Sequence, residues 1–126
     1  VKQYGINSIS TSMIKNAHYT SKKYKKNESE FELCAIEKEY IDKYPIPFSL
    51  DSKIKIGLKY IEEKEIINKC KLIVGEVELI KVDTEYVNND GIIDFNKINA
   101  TCITGSSTYN KIEKIDQLAY MRKTIK

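Results

Sequence analysis

Apolar and polar side chains alternate most cleanly at Ile54, Ile56, Leu58 and Tyr60, which interleave with Lys55, Gly57 and Lys59. A period of two puts successive side chains on opposite faces of an extended chain, so this stretch reads as a strand, apolar on the inner face and largely polar on the outer. Extended structure is expected to reach Ile67. Asn68-Lys69 then turns the chain into a second long strand over Cys70–Asp83, giving an antiparallel pair. Asp90-Gly91 is a short-range reversal signal, and the acidic Thr84–Asn89 stretch before it suits a helical turn. Upstream, Ile6–Ile14 alternates small polar and apolar residues as a half-buried strand does, and Ser29–Ile36 (SEFELCAI) reads as another, with Phe31, Leu33 and Ala35 on one face. Between them, Thr20 or Ser21 is positioned to cap a short helix running to Asn27, because a hydroxyl there accepts from unpaired backbone N–H groups. Pro45 and Pro47 break any helix begun after Glu37 and leave an irregular loop. Ile112, Ile115, Leu118 and Ala119 have helical spacing and predict a short amphipathic helix near the end. Asp94–Ile98 fits neither pattern.

Together these elements describe one α+β, β-rich domain over residues 1–126, built on an antiparallel sheet or barrel. A chain of 126 residues is long enough to bury a core without staples. Hydrophobic residues make up 41% and charged residues 31%, the balance of an ordinary globular protein. Net charge is only +3, from 21 Lys and Arg against 18 Asp and Glu. Nucleic-acid binding needs a basic stripe, and the one cluster, Lys22, Lys23, Lys25 and Lys26, runs straight into Glu28, Glu30 and Glu32. It reads as a solvated face. No apolar run approaches the length of a membrane span. The three cysteines, Cys34, Cys70 and Cys102, form neither a disulfide framework nor a zinc spacing, and are expected to be buried, reduced thiols in a cytoplasmic protein.

Much familiar chemistry is excluded. The single histidine, His18, rules out a two-histidine metal site. Neither glycine-rich phosphate motif occurs. Aligning Gly91 with the sixth position of a calcium loop puts Tyr86 and Lys97 where oxygen ligands are required, so calcium is rejected. Glu76 and Glu78 share a strand face, a pair better explained by a solvated Glu78 and a Glu76 that satisfies a buried polar partner than by acid–base work. Gly75, inside a strand, marks a bulge or a close approach to the backbone. The most promising segment is Lys15-Asn16-Ala17-His18-Tyr19-Thr20, where a strand ends and a helix is expected to begin. A cation beside a helix N-terminus suits a phosphate, while simple capping by Thr20 or Ser21 needs no ligand.

Three segments, in order, resemble the flavin reductase-like proteins, which fold as FMN-binding split β-barrels. LIVGEVELIKVDTEYVNNDGIIDFNKI is similar to that family's strand and acidic loop, through Ile73–Val77, Val82-Asp83, Asp90-Gly91 and Ile93-Asp94. His18-Tyr19-Thr20 and Glu30-Phe31 match its basic–aromatic–Thr segment and the E-F strand after it. Gly105, Tyr109, Leu118, Tyr120 and Arg122 match its ending. The resemblance implies an antiparallel split β-barrel with short peripheral helices, non-covalent FMN, a homodimer with flavin sites near the subunit interface, and electron transfer with NADH or NADPH as donor. Carried over by residue, the phosphate end of FMN maps to Lys15, Asn16, His18 and Thr20, with Ser10 and Ser12 lining the approach. Members usually begin with further strands, so an N-terminally incomplete domain is expected. The alternative is a β-barrel dimerisation or interaction domain that has kept the scaffold and lost the flavin.

Overall fold

The computed structural model describes residues 2–121. β1 (Gln3–Asn7), β4 (Ile54–Glu65) and β5 (Lys71–Val82) form an antiparallel sheet in the order β1-β4-β5. Two two-stranded sheets accompany it: β2 (Lys38–Glu39) with β3 (Phe48–Ser49), and β6 (Thr101–Thr104) with β7 (Thr108–Lys111). Two short helices, α1 (Ile14–Tyr19) and α2 (Glu30–Leu33), lie at the periphery. The described strands do not close into a barrel. The architecture is β-rich, antiparallel α+β, as the sequence predicts.

The long pair falls where the alternation puts it. Ile56 faces Ile80 and Leu58 faces Val77, while Asn68 and Lys69 take left-handed backbone in the turn. Two bulges interrupt the ladder, one skipping Glu78 and one skipping Ile61. The second lies beside Gly75, where a Cβ would run into the hydroxyl of Tyr4. The predicted bulge and the predicted close approach therefore occur together.

The face expected to be polar is the better covered one. The proline-containing loop lays Phe48 and Tyr44 across it, with ring centroids 5.8 Å apart, and Phe48 has no exposed surface. A Cβ on Gly5 would stand 2.9 Å from the Phe48 ring, so only glycine lets the ring settle there. Lys55, on the same face, is buried. On the opposite face Leu58 is buried, but Ile6, Val77 and Ile80 remain 50%, 53% and 60% exposed.

Several expected elements differ. The strand over Ile6–Ile14 stops at Asn7 and gives way to a 3-10 turn (Thr11–Met13) leading into α1. Asn7 Oδ1 accepts from the Ser49 N–H and Ser8 Oγ from the Ile54 N–H, so these side chains take ladder hydrogen bonds for themselves. The helix expected from Thr20 to Asn27 ends at Tyr19 instead. SEFELCAI is not a strand: Glu30 and Glu32 favour a helical first turn, and α2 closes with Ile36 N–H to Phe31 O and Ala35 N–H to Glu32 O. Residues 112–121 carry no helix, because the apolar stripe meets no surface: Ile115 is 96% exposed. Arg122 lies outside the described residues. The turn at Thr84–Tyr86 is present, and Asn88 Oδ1 holds the NDG reversal through the N–H groups of Asp90 and Ile92. Cys34 is buried, but Cys70, at the turn before β5, and Cys102, on β6, are exposed.

Candidate functional site

Helix α1 and the residues flanking it spread the predicted side chains over different sides of this segment. Ser12 and Asn16 line a cavity of about 300 Å³ together with Met13, Ala17, Ala35, Ile36, Ser49 and Asp51. Thr20 lines an adjoining cavity of about 280 Å³ that shares Met13, Ala17, Ile36 and Ser49. Lys15 and His18 face elsewhere, onto an open groove with Ser107 and Tyr109. Ser10 is buried, bridges to Ala100, and brings its hydroxyl within 3.3 Å of Ser12 Oγ. The six candidates are thus neighbours in the fold but do not converge on one point.

Thr20 stands at the C-terminal end of α1. Its Oγ1 donates to Ala17 O at 2.6 Å, and Ser21 Oγ donates to His18 O at 2.7 Å. The hydroxyls satisfy the last carbonyls of the helix rather than its first N–H groups, so the helix dipole here disfavours an anion. His18 is tied down too. Its Nδ1 shares a 2.8 Å hydrogen bond with Tyr109 Oη, the rings meeting edge to face, and this contact pins α1 to the β6–β7 hairpin.

Two residues that sequence reasoning missed are the most unusual polar groups nearby. Ser49 and Ser52 are 5% and 3% exposed, and neither Oγ has a hydrogen-bond partner among the described residues. A buried hydroxyl left unpaired costs about 1–3 kcal/mol. Both line the 280 Å³ cavity, and Ser49 lines both cavities. No linear signal marks them, since serine in a loop is ordinary. The buried Lys55 was missed for a similar reason. Its ammonium pairs with Glu39 and donates to Leu50 O at 3.1 Å, while Lys81 reaches the same carboxylate at 3.4 Å. Lys55 above all holds the Glu39 carboxyl below its ordinary range, against the opposing effect of burial. The Glu78 carboxylate accepts from Tyr44 Oη at 3.1 Å and from Gln3 Nε2 at 3.4 Å, so the strand carboxylate with partners is Glu78 rather than Glu76. Burial, then Glu78, pushes the Tyr44 hydroxyl upward.

The polar set around α1 (hydroxyls, an amide and the carboxylates of Glu30 and Asp51) fits the hydroxyl-bearing chain of a flavin nucleotide. Cavities of 280–300 Å³ lie at or just below the bottom of the roughly 300–1,000 Å³ usual for small-molecule sites. Among the described residues no group of His, Cys, Asp and Glu is arranged to hold a metal ion, and no helix is long and apolar enough to cross a membrane.

No protein-family model and no curated protein matches the sequence. Solved structures do. A split-barrel protein from Shewanella frigidimarina, described as a flavin reductase, superposes with a TM-score of 0.88 at 32% identity, over 96% of this chain and 62% of its own. Flavoredoxin of Desulfovibrio vulgaris gives a TM-score of 0.77 at 22% identity, over 94% of this chain and 63% of its own. Nitrilotriacetate monooxygenase component B from Bacillus cereus gives 0.79 at 16%, over 93% and 60%. The chain spans about three-fifths of the length of each of these proteins. The chain thus has the fold of the flavin reductase-like split-barrel proteins, and at the Shewanella match the likeness extends to sequence.

Proposed function

We propose that the chain belongs to an FMN-dependent oxidoreductase that moves reducing equivalents from NADH or NADPH to flavin or to another acceptor. The observation that carries this reading is the near-complete superposition, at 32% identity, on a protein described as a flavin reductase. Bound FMN would supply the hydride chemistry, and the protein its position and surroundings. Ser12 and Asn16 would hold the polar chain from one side of α1. Lys15 and His18, on the other side, are the cationic and hydrogen-bonding groups available to its phosphate, with Tyr109 fixing the imidazole. Ser10 and Thr20 would act through their neighbours, Ser12 and the end of α1.

The functional unit is a homodimer. The half-exposed Ile6, Val77 and Ile80 on one sheet face favour this, because such a face gains stability by being covered. A cytoplasmic location accords with three free thiols. The test is a visible absorbance spectrum taken after adding FMN and gel-filtering. A retained flavin band that bleaches with NADH or NADPH under anaerobic conditions is the expected outcome. A colourless protein peak would overturn the reading for this chain.

A further inference from the structure

We propose that the groove between α1 and residues 48–52 is a polyol subsite, in which the Ser49 and Ser52 hydroxyls bond the hydroxyl groups of a neutral, hydroxyl-bearing chain. The inference rests on the flavin reading only for the identity of that chain, which would be the ribityl portion of FMN.

Three observations point the same way. The first is the pair of buried, unpartnered hydroxyls, both on the cavity wall. Buried polar groups in folded proteins are nearly always hydrogen-bonded, so two orphans on one wall call for a partner that enters the cavity. The second is that the two cavities share Met13, Ala17, Ile36 and Ser49, so they adjoin as parts of one groove and Ser49 borders both. The third is charge. The charged side chains on those walls are Glu30 and Asp51, both acidic, whereas Lys15 and His18 face a different groove. A phosphate offers only acceptors and would meet carboxylates. An ammonium offers only donors and would leave the Asn16 amide N–H groups unmet. Hydroxyl groups do both, accepting from Ser49, Ser52 and Asn16 and donating to Asp51 and Glu30. The phosphate of a bound nucleotide therefore lies outside this groove.

The test compares the wild-type chain with the Ser49→Ala, Ser52→Ala double variant, using riboflavin, FMN, ribitol and inorganic phosphate as probes. The variant removes orphaned hydroxyls and keeps both Cβ atoms, so its thermal midpoint should not fall. Its affinities for riboflavin and FMN should drop by the same factor, about tenfold or more for two lost hydrogen bonds. Ribitol at millimolar concentration should shift the amide resonances of Ser49, Ser52, Ala17 and Ile36 in the wild type, and phosphate should leave them in place. Flavin binding undiminished in the double variant would overturn the subsite and leave the flavin reading standing. Ribitol shifts in a chain that binds no flavin would do the reverse. Neither flavin binding nor ribitol shifts, with Ser49 and Ser52 holding resident water only, would overturn both.

Discussion

Glu39 and Lys55 show how one residue in an alternating strand escapes its pattern. Lys55 sits at a position that reads as solvent-facing, yet its ammonium is folded under the loop and paired with Glu39. Replacing Glu39 by Gln leaves that charge buried with only the Leu50 carbonyl and is expected to cost about 3 kcal/mol, the low end for an uncompensated buried charge. The low end applies because Glu39 keeps 20% of its side-chain surface exposed. The carboxyl is held below its ordinary value of 4.5 in the folded state. Its contribution is thus full above that value, where the unfolded chain is also ionised, and fades as the pH falls through the lower, folded value. Urea midpoints measured at neutral pH and well below 4.5 should therefore show a large gap between wild type and Glu39→Gln at the first and a small one at the second. Equal gaps at both would remove the ion pair from the account.

At the scale of elements, α2 is the instructive miss. Phe31, Leu33 and Ala35 alternate as a strand does, and the usual stop signal of a helix, a glycine in left-handed backbone, is absent. Ala35 occupies that position with φ 54°, closing both hydrogen bonds of the terminal motif at the steric cost of its Cβ. Ala35→Gly should therefore stabilise the chain by about 1 kcal/mol, read as a higher denaturant midpoint with an unchanged slope. A lower midpoint would mean that the Ala35 methyl contributes more to the groove wall than the strain removes. The β6–β7 hairpin was hidden for another reason. Thr101–Thr104 and Thr108–Lys111 carry few apolar side chains, and only Gly105 in left-handed backbone marks the turn. The helix expected further on fails because a short apolar stripe is helical only when a surface receives it.

For the molecule as a whole, the half-exposed face of β1, β4 and β5 is its least settled surface. In the proposed homodimer this face meets a partner, and Ile80→Lys should convert the dimer to monomer without loss of secondary structure, as seen by sedimentation and circular dichroism. A dimer that persists would move the interface elsewhere. The same sheet shows how far tertiary structure revises a face. The loop bearing Phe48 chooses the glycine side, where aromatic rings can approach the backbone, over the side richer in isoleucine.

The long β4–β5 hairpin, its turn at Asn68-Lys69, the bulge at Gly75 and the NDG reversal were legible in the sequence, because each is set by neighbours within a few residues: alternation, left-handed tolerance, a missing Cβ. The ordered motifs also pointed to the flavin reductase-like fold. Only the tertiary structure decided which sheet face is covered, that Lys15 and His18 turn away from Ser12 and Asn16, and that Ser49 and Ser52 lie buried without partners. Those facts depend on contacts between segments tens of residues apart. Burial and hydrogen-bond satisfaction belong to such contacts and leave no trace in local spacing.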